Sequence, residues 1–482
     1  MSFSSAEFFV FFALLLGCLA LTKWEGARRG LLIGASYLFY FYAWWDWRSC
    51  FLLFGVTLTG FWVARGIAGA DGRRVQRRWL LLGIVTNLGV LAFFKHTDFL
   101  LANARPLFRL ADLELPRPKI VLPLGISFFT FQCISYLVDI YRGLLPAHRS
   151  FRDYMLFVAF FRQLFAGPIV RGGQFLPQME RAHPLRAGDL RAGSARFLRG
   201  FTKKMLFADT LAVWVNPVFT HPAAHSALTC WLAVLAYAGQ IYYDFSGYAD
   251  MAIGVARMLG IECPENFRHP YNSRSIAESW QRWHITLSTW LRDYLFLPLA
   301  DAVCSRIPEN RPFGIWAETW SCAAAILLTM LLGGLWHGAS WTFVAWGALH
   351  GSALAIHRLV REARGRRAQG RYGRPGRLAS WGVTFLFLLV TWVLFRAPDF
   401  RTAWAMLHQM ISPGAGGVRW FYVQGLVVLG GALLHLWSLR HEDRGPALDL
   451  RHPLAWPALA ALLLALLLFA PAGTSPFIYA RF

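Results

Sequence analysis

The 482-residue sequence has no CxxC pair and no Cys/His cluster; its seven cysteines, at positions 18, 50, 133, 230, 263, 304 and 322, fall singly in or beside apolar segments. That excludes a disulfide framework and a zinc-type centre, and no metal is expected. Acidic residues are scarce, 26 Asp and Glu against 48 Lys and Arg, for a formal net charge of +22. Such an excess raises the question of nucleic acid. No basic domain with base-stacking aromatics is present, however, so no nucleic-acid partner is expected; the arginines sit in short loops between apolar runs, as cytoplasmic loops of membrane proteins require. Internal repeats are absent, as is any polar stretch long enough for a soluble domain. The N-terminal segment has no basic region before its apolar run and no small-residue cleavage site after it, so that run is expected to remain as the first span.

What fills the chain instead is apolar residue, 56% of the total with only 15% charged, and a mean hydropathy of +0.41. Apolar runs of bilayer length recur throughout, which predicts an all-α, polytopic membrane protein in contact with lipid, read as one domain over 1–482. Spans are expected at about 6–22, 31–45, 51–66, 79–95, 227–260, 318–336, 341–358, 379–396, 420–438 and 454–471. Arginines after the first and third spans, and the arginine-rich run 358–377, mark those loops as cytoplasmic and put the N-terminus outside. The 22 tryptophans and 40 phenylalanines suit interfacial belts and helix packing. Residues 398–418, with Trp404, Met406 and Leu407, read as an interfacial piece outside.

Between 119 and 260 the pattern turns irregular, with prolines, glycines and ionisable residues inside apolar segments, so half-helices and re-entrant pieces are expected. The arginine-rich stretch His183–Arg199 and the following GFTKKMLFAD read as cytoplasmic surface leading into an interfacial helix. Further on, QIYYDFSGYADMAIG sets Asp244 and Asp250 where a carboxylate costs several kcal/mol unless paired or hydrated. For Asp250 an Arg or Lys partner is expected. Asp244, beside Tyr242, Tyr243 and Ser246, is a candidate for the wall of a polar tunnel.

Two stretches carry histidine into this apolar setting. In NSRSIAESWQRWHITLSTWLRDYLFLPL, Ser275 and Glu278 fit a capping box, so about 276–297 is expected as one helix, with Gln281, His284, Ser288 and Arg292 in a polar stripe opposite Trp283 and Trp290. In LLGGLWHGAS, Trp336 and His337 follow Gly333 and Gly334 and precede Gly338. Imidazole titrates near neutrality, and glycines there let backbone approach closely or break the helix, so His337 is expected to line a cavity as a proton acceptor. Either a cap at a helix end or a catalytic base accounts for a lone intramembrane histidine.

WQRWHITLSTWLRDYLF followed some fifty residues on by GGLWHGAS resembles the membrane-bound O-acyltransferases, in particular the bacterial branch that modifies exported polymers. LPLGISFFTFQ, AGPIVR at 166–171, GFTKKMLFADTLA, YYDFSGYADMAIG and ENFRHPYNSRSIAESW add to the match, which is most specific over 119–351. The resemblance implies a ring of helices around a thin centre, with a cytosolic tunnel for the acyl donor and an outer funnel for the acceptor. It implies His337 as the catalytic histidine, His284 as the second, and Asp244, Ser288 and Trp336 near the tunnel. It further implies acetyl-CoA as donor, a bacterial inner-membrane location, and O-acetylation of an exopolysaccharide, alginate foremost, with cellulose, peptidoglycan and teichoic-acid D-alanylation as alternatives.

Acyl transfer from a thioester to a hydroxyl needs a base and groups to hold the oxyanion. His337 is the expected base; His284, Ser288 or backbone amides near a Gly333–Gly334 break are the expected donors. The C-terminal tail 472–482 ends GTSPFIYARF. Its Tyr479 reads either as an interfacial anchor or, by resemblance to a C-terminal motif of this family, as an outward-facing acyl relay to an extracytoplasmic or membrane-anchored acetyltransferase partner. A proton-coupled transporter is the rival of a different class, since carboxylates and histidines at broken helices also make proton relays.

Overall fold

The computed structural model describes residues 3–44, 46–110, 112, 114–115, 118, 120–161, 167–181, 185–304, 315–364 and 373–412, with positions 430, 457, 460 and 464. The spans expected at 420–438 and 454–471 and the tail with Tyr479 lie outside the described residues, those four positions apart. Among the described residues the regular structure is helical throughout, and the chain divides into two compact units, 1–199 with 248–264, and 200–247 with 265–482.

The first unit opens with α1 (Ala6–Leu21), α2 (Glu25–Trp44) and α3 (Trp47–Ala68). Asp46 caps α3 by accepting from the Arg48 amide at 3.0 Å, supplying one of the acceptors a helix start needs. Gly72, at φ +90°, makes the turn into α4 (Arg73–Leu91), which runs on through a π-helical turn into α5 (Thr97–Arg109). These form one 37-residue apolar helix, longer at both ends than the span expected at 79–95. The expected broken pieces follow: α6 (Ile126–Tyr141), α7 (Phe151–Ala159), α8 (Gly172–Met179) and the start of α9 (Ala187–Thr202). Buried Asp153 ties this region together through Arg29 and His148, both at 3.1 Å.

Asp250 has the arginine partners expected of it. Arg196 reaches it at 3.0 Å and Arg199 at 2.8 Å, so these two arginines of the 183–199 stretch are half-buried ion-pair partners of a buried carboxylate. Glycine permits the approach. A methyl on Gly193 would sit 2.5 Å from the Gly254 carbonyl oxygen, and one on Gly254 2.6 Å from that of Gly193.

In the second unit a π-helical turn at Lys203–Ala208 leads into α10 (Asp209–Thr220), then come α11 (Ala227–Met258, up to Gly247 in this unit), α12 (Ile276–Arg282), α13 (Ile285–Leu291), a π-helical turn at Arg292–Phe296 and α14 (Leu297–Cys304). The last described helices are α15 (Ala317–His337), α16 (Trp341–Arg364), α17 (Arg374–Arg396) and α18 (Phe400–Ile411). Among the described residues, four helical runs are long and apolar enough to cross a membrane: α3, α4–α5, α15 and α17. Their hydroxyls are satisfied within the helix, as in Thr57 to Leu53 O and Thr329 to Ala325 O, both 2.7 Å, which lets them sit in an apolar surround.

Candidate active site

α15 ends at His337, and its Gly334 serves packing rather than a break. The helix continues through Gly333 and Gly334, and a methyl on Gly334 would run into the Phe343 carbonyl oxygen and stand 3.1 Å from the Gly347 Cα. A methyl on Gly347 would in turn strike the Met330 carbonyl oxygen. α15 and α16 therefore meet backbone to backbone, as small residues allow in lipid. No opened amides arise at Gly333–Gly334, because each backbone group there keeps its helical partner. The helix stops at His337, and Gly338 after it turns extended.

His337 is 3% exposed and boxed by rings, with centroids at 4.9 Å (Trp336), 5.1 Å (Trp346) and 5.3 Å (Phe395). Trp336, expected beside a tunnel, is thus itself buried against the imidazole.

The helix expected over 276–297 is not continuous. Ser275 caps α12 as predicted, accepting from the Glu278 amide at 3.1 Å, but the helix ends at Arg282. Trp283 is extended, and His284 takes φ +43°, a left-handed conformation that few non-glycine residues adopt. The competing hydrogen bonds come from an upstream loop: the Arg268 amide donates to Arg282 O, and the Ile285 amide to Asn266 O, both at 2.9 Å. The polar stripe dissolves as a result. Gln281 and Arg292 are exposed, Arg292 bonded to Asp293 at 2.7 Å, while His284 is fully buried. Ser288 shares its hydroxyl hydrogen between Trp283 O at 3.1 Å and His284 O at 3.2 Å, so it closes the break from within and is not a free oxyanion donor.

Three donors converge on Asn266 Oδ1: His284 Nδ1 at 3.1 Å, the Thr286 amide at 3.2 Å and the Thr286 hydroxyl at 2.9 Å. Phe245 stands nearly perpendicular to the His284 ring at 4.6 Å. A path of rings joins the two histidine stretches, from Trp283 to Trp392 at 5.0 Å, to Phe395 at 5.3 Å, and on to His337.

Asp244 shares a cation with Asp209. Lys204 Nζ lies 2.8 Å from Asp244 Oδ1 and 2.8 Å from Asp209 Oδ1, and all three side chains are at most 5% exposed. In the segment read as leading to an interfacial helix, Lys204 is thus interior, because two buried carboxylates require a cation near them. Ion pairing of this kind was expected for Asp250 alone.

Two partners escaped sequence reasoning. Asn266 lies in ENFRHPY eighteen residues before His284, and His350 lies on α16, where a histidine in an apolar helix was the available signal. His350 is 3% exposed and packs against Trp346, ring centroids 4.5 Å apart at a tilt of 42°. Its Nδ1 accepts from Trp280 Nε1 at 3.2 Å and its Nε2 is 3.1 Å from Thr391 Oγ1.

Residues 143–396 match the membrane-bound O-acyltransferase family. The chain is 42% identical over 420 residues to a protein of Pseudomonas aeruginosa named probable alginate O-acetylase, covering 86% of this chain and 75% of that one. A protein of the same name from Azotobacter vinelandii is 43% identical over 422 residues, 86% of this chain and 79% of that one. The peptidoglycan O-acetyltransferase of Helicobacter pylori is 36% identical over 405 residues, 79% and 73% of the two chains. The chain belongs to the membrane-bound O-acyltransferase family, and its chemistry is the transfer of an acyl group to oxygen.

Proposed function

We propose that the protein moves acetyl groups from cytosolic acetyl-CoA across the bacterial inner membrane for O-acetylation of an exported polysaccharide, alginate foremost. The observation that carries the reading is the pair of buried histidines, His284 and His337, each at a helix break or end in the second unit and linked by a path of aromatic rings. Thioester acyl transfer needs one group to take a hydroxyl proton and others to steady the developing charge, in surroundings poor in water. The two imidazoles supply proton traffic in such surroundings. The ring of helices with a cytosolic tunnel and an outer funnel belongs to this proposal, and it keeps donor and acceptor on opposite sides of a thin centre. Identity to relatives named alginate O-acetylase supports the acceptor class. The Helicobacter relative supports peptidoglycan as the second reading.

Polymer choice on this reading falls to an extracytoplasmic or membrane-anchored acetyltransferase partner, to which Tyr479 passes the acetyl group. A phenol, with a pKa of about 10, forms a more reactive ester than a sugar alcohol does. The test is incubation of the purified protein with labelled acetyl-CoA. Acetyl release should fall at least about 10²-fold in His337→Ala, and intact mass should show an acetyl adduct on the C-terminal peptide that Tyr479→Phe abolishes. Unchanged turnover in His337→Ala overturns the assignment; normal polymer acetylation by Tyr479→Phe overturns the relay.

A further inference from the structure

The hydrogen bonds at Asn266 decide which nitrogen of His284 carries the proton. Oδ1 of Asn266 receives the Thr286 backbone amide at 3.2 Å, and a backbone amide only donates. The atom at that position is therefore the oxygen; turning the side-chain amide over would set two N–H groups against each other. His284 Nδ1, 3.1 Å from the same oxygen, must then carry hydrogen. A neutral imidazole protonated at Nδ1 has its lone pair on Nε2. That nitrogen is buried and makes no hydrogen bond among the described residues. His284 in its neutral form thus offers an acceptor at Nε2, where the expected oxyanion role required a donor. The left-handed backbone that carries this ring is pinned on one side by the Ile285 amide on Asn266 O and on the other by the Ser288 hydroxyl on His284 O.

We propose that Asn266 is a positioning residue that locks His284 in the Nδ1–H tautomer, so that Nε2 takes the proton of the acceptor hydroxyl. The role rests on the acetyl-transfer reading above. In that step the hydroxyl oxygen bonds to the acetyl carbonyl carbon as its proton passes to Nε2. The carbon–sulfur bond then breaks, and the imidazolium returns the proton to the departing thiolate, leaving an acetyl ester and a free thiol. The division of labour resembles a catalytic histidine oriented by a third side chain, with an amide oxygen in place of a carboxylate.

The experiment compares wild type, Asn266→Asp, Asn266→Leu, His284→Ala and the Asn266→Leu/His284→Ala pair in proteoliposomes given acetyl-CoA. Leucine keeps the branched outline and removes the acceptor; aspartate keeps an acceptor oxygen. Asn266→Leu should lower kcat on the order of 10²-fold with little change in KM for acetyl-CoA, aspartate should recover much of it, and the pair should be no slower than His284→Ala alone. Nitrogen-15 spectra of histidine-labelled protein, with His284 assigned by its loss in His284→Ala, should show hydrogen on Nδ1. Multiplicative losses in the double variant, wild-type kcat in Asn266→Leu, or hydrogen on Nε2 in the neutral form each overturn the proposal. If Asn266→Leu does not fold, the spectrum and the aspartate variant still decide it. A wild-type protein without acetyl transfer would instead refute the acetyl-transfer reading, with the spectrum still judging Asn266.

Discussion

The indole N–H of Trp280 donates to Nδ1 of His350 across 3.2 Å, joining α12 to α16 from seventy residues away in the chain. An indole has only a donor to give, so His350 holds its hydrogen on Nε2, the opposite tautomer from His284. Nε2 donates to the Thr391 hydroxyl at 3.1 Å, and that hydroxyl passes its own hydrogen to Leu388 O at 3.0 Å. Every donor in this chain has one acceptor.

Breaking it should be felt both in stability and at His337. His350→Leu strands the Trp280 N–H and takes from the Thr391 hydroxyl its buried donor, at a cost of about 2–4 kcal/mol. The thermal midpoint in detergent should fall by several degrees. Because Trp346 packs against His350 and lies with its ring centroid 5.1 Å from that of His337, turnover should fall by about tenfold as well. A variant that melts and turns over as wild type does would show that the chain positions nothing.

The lysine between Asp209 and Asp244 gives a sharper contrast. Lys204→Met leaves two buried carboxylates without their shared ammonium and should cost about 3–5 kcal/mol, enough to prevent accumulation of folded protein. Asp244→Asn leaves the Lys204–Asp209 pair intact, so its loss of stability and activity should be mild. Adding Asp209→Asn and Asp244→Asn to Lys204→Met should recover folded yield. Equal yields for Lys204→Met and Asp244→Asn, read by fluorescence size-exclusion, would contradict this ordering.

Glycine substitutions should separate by site. Gly347→Ala pushes a methyl at the Met330 carbonyl and must part α15 from α16, a loss of about 1–3 kcal/mol with a displaced His337. Gly55→Ala, in α3, meets nothing within 4 Å and trades flexible backbone for helix propensity, so it should be neutral or stabilising by about 0.5–1 kcal/mol. Thermal unfolding of the two variants side by side checks the sign of each.

Much of the architecture was legible because it depends on nearby residues. Apolar runs of bilayer length predict membrane helices whatever they pack against, and α3, α15 and α17 appear close to where those runs lie. The cap at Ser275 was legible for the same reason, since its acceptor and its donor at Glu278 are three residues apart. An intramembrane carboxylate such as Asp250 demands a cation by its cost alone, so the existence of a partner could be read, though not that Arg196 and Arg199 supply it. The two histidines stood out because imidazole is rare in such runs.

Tertiary structure alone decided the rest. Helical periodicity runs unbroken through Trp283 and His284, yet the helix breaks there because a loop eighteen residues upstream offers the backbone other hydrogen bonds. Conversely, Gly333 and Gly334 look like a break and are not one: the helix runs on through both, and Gly334 is answered by Gly347 on the next helix. Lys204 lies in a stretch basic enough to pass for surface until Asp209 and Asp244 close on it. The tautomers of His284 and His350 depend on whether the facing atom is a carbonyl oxygen or an N–H. Composition and spacing report what each residue can do with its neighbours in the chain; which donor meets which acceptor across tens of residues exists only once the helices have packed.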